Sequence, residues 1–186
     1  MPESTNDVTD LRSVSREERE KLREALLDQI EYLIDEVEAL RTVTGTVPEA
    51  VQSGRPTDED LSMREHYAVI AVLDRTQRTD WVESVRDAAG EEPVDLNPVG
   101  AEEAVRKDDW NDREMDAVLD EVQAARRDLH DLLSALDESA WIREVVLDGE
   151  TITLFELVHG FADADFQRLR DLGYRLHDAD LSEREE

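Results

Sequence analysis

Few residues in this chain have the types and spacing for chemistry. Cysteine is absent, which excludes a thiolate nucleophile, a cysteine-ligated zinc and any disulfide. The serines and threonines lie in no nucleophile elbow, and no Gly-rich phosphate loop is present. That leaves four histidines, His66, His130, His159 and His177, and an abundance of carboxylates as groups able to hold a metal or move a proton. The sharpest constellation is VHGFADADFQRLRDL, residues 158–172. With Val158, Phe161, Leu169, Leu172 and Leu176 as one helical face, the 3.6-residue period puts Asp165 on the apolar stripe and Arg168 beside it. A charge on a buried stripe needs a partner, so the expectation is an Asp165–Arg168 ion pair at i, i+3. Removing Arg168 should then cost on the order of 1–3 kcal/mol. Asp163 and Asp165, two apart, point about 200° apart on a helix and do not form an acid/base dyad.

These side chains must be positioned by helices. Ser15–Glu18, Ser62–Glu65, Asn111–Glu114 and Thr153–Glu156 each read as a capping box, in which two orphan amides are satisfied reciprocally. Behind the first, Leu22, Leu26, Ile30, Leu33, Val37, Leu40 and Val43 keep a helical period to about residue 44; the second opens a nearly all-apolar helix to about Arg78. Residues 81–110, with Gly90, Pro93, Pro98 and Gly100, read as a long connection with one or two short helical turns. A third helix follows on Met115, Val118, Leu119, Val122, Leu129, Leu132, Leu133 and Leu136. WIREVVLDGETIT alternates weakly around Asp148-Gly149 and is compatible with a small hairpin before the last helix, which runs to about His177. The expected fold is therefore all-α: a four-helix bundle over residues 16–177 with a long crossover between helices two and three. Residues 1–15 are expected to be a flexible start and 178–186 an acidic flexible tail.

Composition narrows the partners. The formal charge is −28, from 49 acidic against 21 basic residues, with Lys21 and Lys107 the only lysines. At 39% hydrophobic and clearly patterned, the chain is expected to fold rather than stay disordered, with a deeply acidic surface of the kind that suits a salt-accumulating halophile. No basic patch emerges, which argues against nucleic acid or an anionic membrane as partner. The longest apolar run, AVIAVL at 68–73, is far too short to span a bilayer, and the start MPESTNDVTDLRSVS has no signal-peptide character. A cytoplasmic location is expected.

Three stretches carry a resemblance: LSMREHYAVIAVLD, AARRDLHDLLSAL and SAWIREVVLDGETITLFELVHGFADADFQRL. Over residues 16–177 the chain resembles the DinB-like (DinB/YfiT-like) superfamily. The resemblance implies an up-down-down-up bundle, and a divalent metal such as zinc or nickel held by one histidine from helix two and two, four apart, from helix four. Some members are thiol-dependent S-transferases or hydrolases. Laid over this chain, the implied ligand positions fall at Val69, Ala164 and Arg168, and a one-residue shift gives Asp163 and Gln167. Valine and alanine cannot ligate, and an arginine repels a cation. The chain thus departs from the pattern at every ligand, and Asp165 with Arg168 reads as a polar pair in a vacated site.

The histidines do not rebuild it. In an up-down-down-up bundle the starts of helices two and four, carrying His66 and His159, lie at opposite ends, toward ~30 Å apart for 20-residue helices. The expected function is a binding or regulatory module acting through the cavity between helices two and four, with no metal chemistry, no cofactor and no assigned catalytic residue. Its partner would be an unidentified small molecule or protein. One alternative is a metal-dependent thiol S-transferase or hydrolase with an altered ligand set, such as Asp163 and Asp165 with His66 or His159. The other is an interaction protein whose bundle face forms a homodimer.

Overall fold

The computed structural model describes the backbone of residues 11–184 and the side chains of residues 11–174. Capping chemistry opens the long helices. Helix α1 (Arg16–Thr44) begins where Ser15 Oγ accepts from the Glu18 amide at 3.3 Å. After a short α2 (Glu49–Ser53), α3 (Met63–Leu73) opens with a full capping box: the Glu65 amide donates to Ser62 Oγ at 3.2 Å and the Ser62 amide to Glu65 Oε2 at 2.9 Å. Asn111 departs from the expected pattern. It lies in a 3₁₀ turn, Trp110–Asp112, and its amide group ties Ser62 Oγ to the Ser53 carbonyl, so α6 (Met115–Ser134) starts after Glu114 with no side-chain cap.

The second long helix does not end at Arg78. It passes through one π turn, Asp74–Arg78, and continues as α4 (Thr79–Asp87). Such a turn inserts a residue into the helical ladder and changes which side chains face inward. The crossover then holds strand β1 (Val94–Leu96), α5 (Ala101–Lys107) and the 3₁₀ turn. A short α7 (Glu138–Trp141) precedes the hairpin of β2 (Glu144–Leu147) and β3 (Glu150–Thr153). Asp148 and Gly149 have φ of 53° and 83°, the left-handed pair that a two-residue hairpin turn requires. Strand β1 pairs in parallel with β2, Val94 opposite Val145, so the hairpin becomes a three-stranded sheet. The first stretch of the crossover is thereby pinned to the segment before the last helix.

Helix α8 (Leu154–Arg184) starts on a reciprocal pair of bonds, Thr153 amide to Glu156 Oε2 at 2.6 Å and Glu156 amide to Thr153 Oγ1 at 3.2 Å. It runs past the expected end at His177 through most of the segment read as a tail. Residues 1–10, expected to be flexible, lie outside the described residues. Leu11, in the same expected segment, sits in a 3₁₀ turn and is buried at 1% exposure. Helix α6 packs on α1 and α3, and α8 on α1 and α3, which makes the four-helix bundle, with the small sheet beside it. Among the described residues no helix is long and apolar enough to cross a membrane.

The bundle core is split into two apolar halves. One gathers Leu26, Ile30, Trp81, Val82, Leu129, Leu133, Trp141, Phe155 and Phe161; the other gathers Leu33, Val37, Tyr67, Val69, Ile70, Val118, Val122, Ala125 and Leu172. On all four helices the division falls at one level: between Ile30 and Leu33, Ala71 and Trp81, Ala125 and Leu129, Phe161 and Leu172. Something polar occupies that level.

Candidate functional site

The level is filled by four buried charges: Asp74 and Arg78 from the π turn, Arg126 from α6 and Asp165 from α8, none more than 5% exposed. Arg78 grips Asp165 with both terminal nitrogens, Nη1 to Oδ2 and Nη2 to Oδ1, each at 2.8 Å, and Nη1 also reaches Asp74 Oδ1 at 2.7 Å. Arg126 Nε donates to Asp74 Oδ2 at 2.8 Å, Nη2 lies 3.3 Å from Asp74 Oδ1, and Nη2 also bonds Asp165 Oδ2. Two cations and two anions alternate, so each carboxylate faces both guanidiniums. Phe161 lies under Arg78, its ring centroid 5.0 Å from the guanidinium carbon, which adds a cation–π contact on the dry side.

The environment divides the two carboxylates. Burial pushes Asp74 up, with the Asp165 charge in the same sense, and the two guanidiniums hold it back only in part. Burial pushes Asp165 up as well, but the pull of Arg78 and Arg126, and their hydrogen bonds, bring it below the ordinary aspartate value. Arg78 is held more firmly charged than usual: burial alone would lower it, but Asp165 and Asp74 outweigh that.

The expected Asp165–Arg168 pair does not form. Asp165 is on the buried stripe as expected, but its partners come from other helices. Arg168 lies on the flank of α8, where Nη2 donates to the exposed Glu102 at 3.0 Å and Nη1 lies 3.3 Å from His66 Nδ1. Three residues along a helix turn the side chain aside, and Glu102 and His66 wait there. Arg78, Arg126 and Asp74 were missed, although the signal that picked out Asp165 applies to them. Arg126 falls between Val122 and Leu129 on the α6 stripe, and Asp74 and Arg78 continue the line of Tyr67, Ala71, Val82 and Val85.

The positions implied for metal ligands do not converge. Val69 is buried in the apolar core and Ala164 faces solvent. The inward positions four apart on α8 are Phe161, Asp165 and Leu169. His159 Nδ1 sits 3.3 Å from Asp163 Oδ2 on the outer face of α8, and His130 Nε2 sits 3.5 Å from Ser134 Oγ. The side chain of His177 lies outside the described residues. Among the described residues no three His, Asp or Glu side chains are grouped to hold a metal ion. At Asp165, the one carboxylate on the inward face of α8 among the described residues, a cation would share the oxygens with two guanidiniums, and Asp74 is engaged by the same two. A divalent metal of the kind the resemblance implies does not fit this site.

Above the charged level a groove of about 280 Å³ opens between α1 and α8, with Arg126 and Asp165 on its floor. This groove lies beside helix one, a place the sequence did not single out. Gln29, Tyr32, Leu33 and Glu36 form one wall, and Ala162, Asp163, Phe166 and Leu169 the other. Two nitrogens of Arg126 are engaged, while Nη1 has no acceptor among the described residues. Tyr32 and Phe166, on opposite walls, are each 64% exposed. Two aromatic rings thus face water across one groove.

This architecture defines a class of fold: a four-helix bundle with a long crossover and a small sheet beside it. In particular, the chain is similar to the solved structure of YfiT from Bacillus subtilis, described as "a probable metal-dependent hydrolase with an unusual four-helix bundle topology", with a TM-score of 0.63 at 15% identity over 89% of this chain and 91% of that one. It is also similar to the mycothiol-dependent maleylpyruvate isomerase, with a TM-score of 0.54 at 17% identity, covering 89% of this chain and 63% of the isomerase. At such identities the likeness is one of fold. No protein-family model matches the sequence, and no curated protein sequence does.

Proposed function

We propose that this protein is a small-molecule binding module built on the DinB/YfiT-like bundle, in which a self-neutralised Asp/Arg layer stands in place of metal chemistry. The observation that supports the reading most directly is Arg126, 1% exposed, lining the groove floor with one terminal nitrogen unbonded. That nitrogen is open to the groove, where an acceptor on a bound molecule can take the place of water. The groove also carries Glu36, Asp163 and Asp165 against Arg126 alone, so its field disfavours a free acid. The chemistry fits a neutral molecule with a carbonyl acceptor for Arg126 and a flat apolar body between Tyr32 and Phe166.

The test is thermal unfolding of the untagged protein in molar KCl with benzamide and, in parallel, benzoate. Benzamide is expected to raise the melting temperature in a saturable way, benzoate to do less, and Phe166→Ser to abolish the gain. No stabilisation by either probe would count against the reading. The exposed Tyr32 and Phe166 also favour a second reading, in which this groove receives another copy of the chain. Sedimentation equilibrium showing a dimer that Phe166→Ser dissociates would favour that one.

A further inference from the structure

A second recess, of about 200 Å³, lies at the other side of α1, between its first turns and α7. Three arginines one turn apart, Arg16, Arg19 and Arg23, line it together with Trp141, Leu11 and Ile142. In a chain of net charge −28, every such arginine would be expected to find a carboxylate. Two do: Arg16 Nε lies 3.1 Å from Glu138 Oε2, and Arg19 donates to Glu138 Oε1 through Nε and Nη2 at 3.1 and 3.0 Å. Glu138 is thereby used up. Arg23 makes no ion pair or hydrogen bond among the described residues, and its Nε is buried without an acceptor. The buried Nε atoms of Arg64 and Arg143 also lack one, but the terminal nitrogens of those residues are engaged.

Trp141 is the second, independent sign. It is 2% exposed and lines the same recess, and its Nε1–H has no acceptor. Trp81 donates to the Asn97 carbonyl at 3.1 Å, while the buried Trp110 Nε1–H, outside this recess, also lacks an acceptor. An indole donor that deep is almost always satisfied. Two donors without an acceptor, the indole Nε1–H and the Arg23 Nε–H, thus belong to side chains that line one small space beside the positive end of a long helix. Leu11, Ile142 and the indole face make the rest of it apolar, and the exposed Glu20 at its mouth discourages a second negative charge. The volume lies below the roughly 300–1,000 Å³ of drug-sized pockets.

We propose that this recess binds a small organic monocarboxylate, its carboxylate between Arg23 and the Trp141 indole N–H and its apolar body against Leu11 and Ile142. The site is separate from the α1–α8 groove, and either can fail without the other. The experiment is a titration of the ¹⁵N-labelled full-length protein with sodium butyrate, with inorganic phosphate and chloride as parallel probes, following the Trp141 indole N–H resonance assigned through Trp141→Phe. Butyrate is expected to shift that signal saturably. Arg23→Gln should weaken the response at least tenfold, Arg23→Lys should restore part of it, and Lys21→Gln, outside the recess, should leave it unchanged. An indole signal that does not move, an equal response to chloride, tighter binding of phosphate, or full binding by a folded Arg23→Gln protein would each overturn the proposal.

Discussion

Arg126→Met is the substitution that probes the charged layer hardest. Methionine keeps much of the side-chain volume and deletes the guanidinium. Arg126 donates to both carboxylates, so its loss leaves Asp74 and Asp165 sharing Arg78 alone and gives the buried layer a net negative charge. Breaking a buried, hydrogen-bonded charge pair by removing one partner costs roughly 3–5 kcal/mol. That is a large part of the ~5–15 kcal/mol typical of a whole domain. With a urea slope near 2 kcal/mol/M, the midpoint should fall by about 1.5–2.5 M. The pH dependence gives the mechanism away. Asp74 already lies above its ordinary value in the folded protein, and losing a guanidinium raises it further. A carboxyl raised on folding binds a proton more tightly in the native state, so stability recovers as pH falls. The deficit of Arg126→Met should be smaller near pH 5 than near pH 8, and Asp165→Asn added to it should restore part of the loss. The assay is urea unfolding by circular dichroism at constant KCl. A loss under about 1 kcal/mol, of the size of a surface pair, or a loss that neither pH nor Asp165→Asn changes, would refute the account of the layer.

Other expectations are equally direct. Arg168→Ala removes only an exposed contact with Glu102 and one with His66, and should cost less than about 1 kcal/mol; a loss as large as that of Arg126→Met in the same urea series would put Arg168 back in the buried layer. In the wild type, Asp165 sits below its unfolded value, so its contribution is present above the ordinary aspartate pKa and disappears as pH falls below it. Asp165→Asn should flatten the acid limb of the stability profile, and an unchanged limb in acid titration would contradict this. Gly149 has a φ of 83° in the hairpin turn, and Gly149→Ala should lower the melting temperature at a cost of about 1 kcal/mol. With a charge of −28, the urea midpoint should rise with KCl as repulsion is screened; a midpoint independent of salt would count against self-repulsion as a force on this fold.

Most of the bundle was legible because its helices announce themselves. Ser15, Ser62 and Thr153 are capping residues, and each starts a helix where local hydrogen bonding predicts. Asp148-Gly149 specifies its turn because few residues accept positive φ. What stayed hidden depends on long-range geometry. Strand β1 is three residues between prolines at 93 and 98, too short to show a period, and it exists because β2 is there to pair with it. The π turn at Asp74–Arg78 is likewise invisible in periodicity, since one inserted residue is a local shift stabilised by Arg126 and Asp165 from distant helices. The site was half legible for the same reason. Burial of Asp165 follows from its own helix, but its partners do not: the nearest arginine in sequence, Arg168, points aside, and the two that matter lie 87 and 39 residues away.

The polar layer of this bundle satisfies itself with arginines and, among the described residues, leaves no place for a resident metal. The direct measurement is metal content: the untagged protein, purified in molar KCl without nickel resin, is incubated with zinc, nickel or manganese, desalted, and assayed for metal per chain. The predicted result is retention near zero for all three, unchanged by His66→Ala or His159→Ala. Retention of one ion per chain, lost on substituting Asp165 or either histidine, would contradict the claim and make metal-dependent chemistry the leading reading of this fold.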